Sequence, residues 1–182
     1  MDSHNPKAAI AVEKGGMNEE GYVHTSRGDE TTEHMAKVDY LFQEAGRRSI
    51  ATIGIGDGGN EIGMGVIAEE IRAHIPFGMA GKDPAKGGLA PHTKTDVLVA
   101  AAISNWGAYG VAACLALLLG RPEIFHNAEM EARLHRVGAD ASFIDGITGL
   151  VDPGADGLRS NVHEAFVTVM GETLRQSLAR RR

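Results

Sequence analysis

Cysteine is almost absent. Cys114 stands alone in 182 residues, so no disulfide can form within the chain, which fits a reducing compartment and leads us to expect a cytoplasmic protein. Long apolar runs are missing too. The longest, 111–119, falls far short of the roughly 20 residues that cross a bilayer. The first residues are polar and lack the apolar segment of a secretory leader. Positive charge is in deficit, with 18 Lys and Arg against 24 Asp and Glu, a net charge of −6. The one basic run, Arg180-Arg181-Arg182, reads as a solvated tail, so nothing resembles a nucleic-acid footprint. Aromatics make up only 5% of the chain. These shortages argue against a disulfide-stapled module, a membrane span and a nucleic-acid binder.

Glycine is what the chain has in plenty, 24 residues of it, which implies many tight turns and close backbone approaches. The length reads as a single domain, 1–182, with 1–7 and 179–182 flexible. An apolar content of 43% is enough for a core, since a chain of this size buries roughly 68–70% of its unfolded surface.

Apolar, partly β-branched runs at 8–12, 49–55 and 96–103 read as strands, the first of them buried. Apolar spacings of three and four predict helices over 34–48 (face Met35, Val38, Leu41, Phe42, Ala45), 62–75, 105–119, 125–137 and 162–178. The helix 105–119 is apolar enough to be buried, with Cys114 as a small core residue. Residues 77–95, rich in Gly and Pro, read as a flexible loop. Residues 143–151 form a short strand or turn, and 152–157 carry strong turn chemistry. Strands alternating with helices imply an α/β fold, a mostly parallel sheet with helices on both faces. Ligands in such sheets bind beyond the carboxyl ends of the strands. Glu13, then 57–61, then Ser104 and Asn105 should therefore meet at one rim.

Gly54, Gly56 and Gly59 fit the dinucleotide spacing G-x-G-x-x-G, a weak signal by itself. Asp57 places a carboxylate where a pyrophosphate would sit, and no acidic strand end follows about 20 residues on; both argue against a dinucleotide. A divalent-metal or polar-substrate turn fits better. Asp57 and Glu61 lie four residues apart around glycines, and Mg²⁺ or Mn²⁺ prefers such oxygen donors. The plainer alternative has Asp57 capping the next helix with Glu61 in its first turn. Ser104 or Asn105 equally fits a cap on the next helix. Glu13 and Lys14 also fit an ordinary acid–base pair in a loop. His163 stands at a helix start and reads as surface. No pair among the eight His has the H-E-x-x-H spacing of a zinc site, and His24, His34, His74, His92, His126 and His135 receive no role.

The string Gly54-Ile55-Gly56-Asp57-Gly58-Gly59-Asn60-Glu61-Ile62-Gly63-Met64-Gly65 resembles the signature of the D-glutamate cyclase family. Three further segments resemble that family in order. They are Ala9-Ile10-Ala11-Val12-Glu13-Lys14 with Gly21-Tyr22, then Ser104-Asn105-Trp106-Gly107-Ala108-Tyr109, then Asp145-Gly146-Ile147-Thr148-Gly149 followed by Asp156-Gly157-Leu158 and His163. The resemblance spans about residues 8–175. It implies conversion of D-glutamate to 5-oxo-D-proline and water, assisted by a divalent metal, Mn²⁺ or Mg²⁺. It further implies Glu13, Asp57 and Glu61 as metal ligands or catalytic groups, and Gly58, Gly59, Asn60, Ser104, Asn105 and His163 as substrate contacts. Family members are usually longer, with an N-terminal half ahead of the first strand, so a homo-oligomer or a separate N-terminal chain is an expected partner. Two other functions remain open: a metal-dependent phosphoester hydrolase using the same carboxylates, and a non-catalytic or split fragment.

Overall fold

The computed structural model describes residues 5–180. The expected flexible ends and the basic tail fall partly outside them. The chain read as one domain divides into two compact units, Met1–Gly107 and Ala108–Arg182.

The first unit holds a three-stranded parallel sheet, β1 (Ala8–Val12), β2 (Ala51–Gly56) and β3 (Val97–Ala100), in the order β1-β2-β3. Val12 pairs with Ile55, and Ile53 with Val97. The α/β class with a parallel sheet is thus the observed one. β2 is central, and Thr52 and Ile55 are buried within it. β1 is an edge strand, contrary to the buried strand expected. Only Ala11 is buried, while Ile10 is 52% and Val12 42% exposed, because β1 has a neighbour on one side only.

Helix α1 (Asp39–Arg47) packs Phe42 against Ala11 and Ile62, with Val38 and Ala9 alongside. It starts five residues later than its apolar spacing suggests. Asp39 explains the start: it is fully buried, its Oδ1 accepting the Met17 N–H at 3.0 Å and the Thr93 hydroxyl. Helix α2 (Ala68–His74) is likewise shorter than 62–75. The Ile62 and Gly63 N–H groups donate to Lys14 and Thr93 carbonyls instead of entering a helix. Met64, Ile71, Leu89 and Ala90 make a second core cluster.

The loop 77–95, read as flexible from its Gly and Pro content, is tied down along its length. Leu89 and Ala90 N–H groups reach Phe77 and Gly78 carbonyls, and the His92 N–H reaches Met17. The buried Asn18 amide donates to the Lys86 and Gly88 carbonyls at 2.8 and 2.9 Å. Leu89 is 1% exposed. Lys86 also bonds Glu30 at 2.6 Å. That bond, aided by Thr32, holds the Glu30 carboxyl at about 2, against an ordinary 4.5. A depressed carboxyl supports the fold above its unfolded value and loses that support as pH falls through its folded one. The Glu30–Lys86 tie should therefore persist below pH 4.5 and break only toward about 2. A carbon-detected NMR titration of Glu30 would reveal it, and a midpoint near 4.5 would contradict the bond.

The boundary between units falls inside helix α3 (Ser104–Leu119), after Gly107. In the second unit α3 gives Ala116 to a core with Phe125, Val167 and Leu174. The remaining elements are α4 (Ala128–Asp140), the short antiparallel hairpin β4 (Gly154–Ala155) and β5 (Leu158–Arg159), and α5 (Ser160–Ala179). Asn127 caps α4 by accepting the Met130 N–H at 2.9 Å. α3 is less buried than its composition suggests: Leu115, Leu118 and Leu119 are exposed, and so is Cys114. No helix among the described residues is long and apolar enough to cross a membrane.

Candidate functional site

The turn after β2 is built by close backbone packing. Gly54 lies against the residues that follow the turn: a Cβ there would meet the Ile62 carbonyl oxygen at 2.3 Å and Gly63 Cα at 2.7 Å. Gly63 reciprocates and has a φ of +101°, a conformation that side chains oppose. These contacts fold 56–63 back over the end of β2. The Gly16 and Ile62 N–H groups then join the Asn60 and Lys14 carbonyls, locking the turn to the segment after β1.

Glu61 is buried, and its Oε1 accepts the Asp57 and Gly58 N–H groups at 3.0 and 2.7 Å. Its Oε2 is buried with no hydrogen-bond partner. Glu61 thus braces the turn from within. Asp57 is exposed, but its Oδ2 accepts both the Ser104 N–H at 2.7 Å and the Ser104 hydroxyl at 2.9 Å. Asp57 therefore caps α3, not the helix that follows it in sequence, and Ser104 serves as donor to Asp57. Glu13 directly follows β1 at a φ of +50°, unusual for a residue with a side chain. Its carboxylate oxygen lies within 4.8 Å of that of Asp57, and both groups are exposed.

The expected rim residues accordingly divide by role. Glu13 and Asp57 present carboxylates side by side. Glu61 and Ser104 hold the turn and Asp57 in place. Asn60 is half-buried and donates its amide to the His24 carbonyl at 2.8 Å. Gly58 gives its N–H to Glu61, Gly59 takes a φ of +90°, and Asn105 is half-buried in the first turn of α3. Sequence spacing gave His24 no role, yet it backs this turn. It is 2% exposed, with both ring nitrogens unpartnered, and burial pushes it below its ordinary value.

His163 does not lie at the surface. It is fully buried in α5, in the second unit, and its Nε2 is 3.0 Å from the Ala155 carbonyl. Around it stand two residues that the sequence reading passed over, Glu131 and His135, with donor atoms of all three within 4.8 Å of one another. Their spacing of four on one helix was the available signal; a search for H-E-x-x-H could not find it.

The profile described as "D-glutamate cyclase-like, C-terminal" matches residues 1–171. The chain belongs to that family. It is also 34% identical over 110 residues to human "D-glutamate cyclase, mitochondrial". That match takes in 60% of this chain but only 17% of the human protein. The turn described above, from Gly54 in the sheet to Gly65 beyond it, lies within the matched residues.

The roles of Glu61 can be separated by substitution. Glu61→Ala leaves two N–H groups without their acceptor and should cost about 1–3 kcal/mol in urea unfolding. Glu61→Gln keeps an oxygen for them and should cost less. Equal losses would mean that the turn does not depend on this bracing.

Proposed function

We propose that this chain carries D-glutamate cyclisation at the β1–β2 rim, yielding 5-oxo-D-proline and water. The observation behind the reading is the pair of exposed carboxylates, Glu13 and Asp57, whose oxygens lie within 4.8 Å at the ends of adjacent parallel strands, in a chain of this family. In the reaction the amine nitrogen bonds to the γ-carboxyl carbon and one C–O bond breaks. The nitrogen gives up two protons, which depart with the released oxygen as water.

One rim carboxylate takes a proton from the substrate ammonium, which frees the nitrogen lone pair, and relays it, and then the second nitrogen proton, to the departing oxygen. Asp57 suits this task, because Ser104 fixes one of its oxygens and leaves the other for the substrate. Two carboxylates facing a dicarboxylate substrate repel it unless a cation intervenes. Exposed, hard oxygen donors fit Mg²⁺ or Mn²⁺, and Glu13 is the residue that would hold the ion, beside Asp57. Bound there, it would neutralise charge and polarise the γ-carboxylate. Glu61 enters as a positioning residue, Asn60 as the anchor of the turn to the His24 segment, and Asn105 as a substrate contact. His163, sealed from solvent, is left out of the substrate site.

The human relative extends far beyond the matched segment, so the assay needs two arms. The chain is incubated with D-glutamate and Mn²⁺, alone and with the N-terminal region of a longer family member. Product is separated by chiral chromatography, with L-glutamate and an aryl phosphate as controls. Formation of 5-oxo-D-proline in either arm supports the proposal. Phosphate release without 5-oxoproline would favour the hydrolase instead.

A further inference from the structure

The first unit has a pocket with no part in the cyclisation chemistry. Its strands are parallel, and the rim carboxylates follow their carboxyl ends. Thr52, near the start of β2, and Asp96, just before β3, mark the opposite end of the sheet. There a pocket of about 570 Å³ is lined by Phe42 and Gly46 of α1, by Thr52 and by residues 92–96. That volume lies within the roughly 300–1,000 Å³ usual for small-molecule sites. Gly46 keeps its side open, since no atom lies within 4 Å of a Cβ built there.

Burial alternates along 92–96. Thr93 and Thr95 are buried, whereas His92, Lys94 and Asp96 are exposed. A period of two puts the latter three on one face, and all three line the pocket. The segment is held in place: the Gly63 N–H donates to the Thr93 carbonyl at 3.0 Å, and the Thr95 hydroxyl to the Val97 carbonyl at 2.8 Å. Asp96 is fixed most firmly. Its Oδ2 accepts both the N–H and the hydroxyl of the buried Thr52, and its own N–H donates to the Thr52 oxygen, each at 2.8 Å. Those bonds hold the carboxyl below its ordinary range. They use one oxygen and leave Oδ1 without a bond among the described residues.

Lys94 and Asp96 stand two residues apart on that face, about 6.5–7 Å between Cα atoms in extended chain. Yet the Lys94 ammonium forms no ion pair or hydrogen bond among the described residues, with Asp96 or any other. A cation and a rigid anion that line one pocket without neutralising each other complement a ligand that carries both charges. Phosphate or a simple carboxylate would suit Lys94 but be repelled by Asp96, and a simple amine would meet the reverse. A zwitterion satisfies both. Phe42 supplies an apolar surface beside them. An acidic side chain would lose its water there at a cost, so glutamate itself fits poorly.

We propose that this pocket binds a neutral, apolar α-amino acid, with its ammonium on Asp96 Oδ1, its carboxylate on Lys94 and its side chain against Phe42. The site lies at the opposite end of the sheet from the rim and is independent of the cyclase reading.

The test is calorimetric titration of the full chain with L- and D-leucine. The controls are 4-methylpentanoate, which lacks the ammonium, 3-methylbutylamine, which lacks the carboxylate, and inorganic phosphate. One leucine enantiomer or both should bind one to one, and each control about tenfold more weakly or worse. Lys94→Gln and Asp96→Asn should each weaken leucine binding by about tenfold or more. The Asn keeps an oxygen for Thr52, so far-UV circular dichroism should not change. Should either substitution prevent folding, amide spectra of the parent protein decide: leucine must shift Gly46 and residues 92–96 and leave the turn from Gly56 to Asn60 in place. Absence of leucine binding, equal binding of any control, undiminished affinity in folded variants, or shifts centred outside the pocket would overturn the proposal.

Discussion

Asp57→Asn should lower 5-oxo-D-proline formation by about 10²–10⁴-fold, the range associated with losing a positioned proton-transfer group. The substitution is nearly isosteric. An Asn oxygen can still accept from the Ser104 N–H that now binds Asp57 at 2.7 Å, so the cap on α3 and the turn should survive. What disappears is the negative charge, and with it the capacity to take a proton beside Glu13. The variant should therefore melt within a few degrees of the parent while turnover collapses. Turnover at the parental rate would remove Asp57 from the chemistry. Lost turnover with an unfolded protein would instead mean that Asp57 matters chiefly as a cap.

Gly54→Ala should have the largest effect on stability. Its methyl would fall 2.3 Å from the Ile62 carbonyl oxygen and 2.7 Å from Gly63 Cα. Both are backbone atoms, in a segment pinned by the Ile62 and Gly63 hydrogen bonds to Lys14 and Thr93. No side chain can swing away, so the turn itself must move off the central strand. Overpacking of this kind costs about 1–3 kcal/mol and sometimes more, and we expect the upper end, about 3 kcal/mol or above. In a protein of this size that is a fall of roughly 6–12 °C in Tm. Gly46→Ala is the control, because no atom lies within 4 Å of a Cβ built there. A Gly54→Ala protein as stable as the parent would show that the turn does not pack against β2 as described.

The contrast between these two glycines also marks what a sequence can convey. The strands were legible as short apolar, partly β-branched runs, and the turn after β2 as the glycine cluster that follows it. The start of α1 was not, because it is decided by Asp39 reaching Met17 and Thr93, far away in sequence. The same holds for the cap on α3: local spacing pointed to Ser104 or Asn105, and the carboxylate comes from Asp57. The loop 77–95 looked mobile because glycine and proline lower regular structure, yet they also let backbone approach backbone. Asn18 uses that approach to bind two of the loop's carbonyls. In the candidate site, the acidic rim residues could be named from their positions past the strands. Which oxygen braces the turn and which faces outward could not, since that rests on individual hydrogen bonds. The Glu131–His135–His163 cluster was hidden because its third member arrives from another helix.

The central claim is that D-glutamate meets this chain at the paired carboxylates of the β1–β2 rim. Backbone amide spectra recorded during titration with D-glutamate in the presence of Mg²⁺ address it most directly. The expected shifts are concentrated at Glu13 and Lys14, the turn from Gly56 to Asn60, and Ser104 and Asn105, and they vanish in Asp57→Asn. Shifts centred anywhere else, or the same rim shifts undiminished in that variant, would contradict the account.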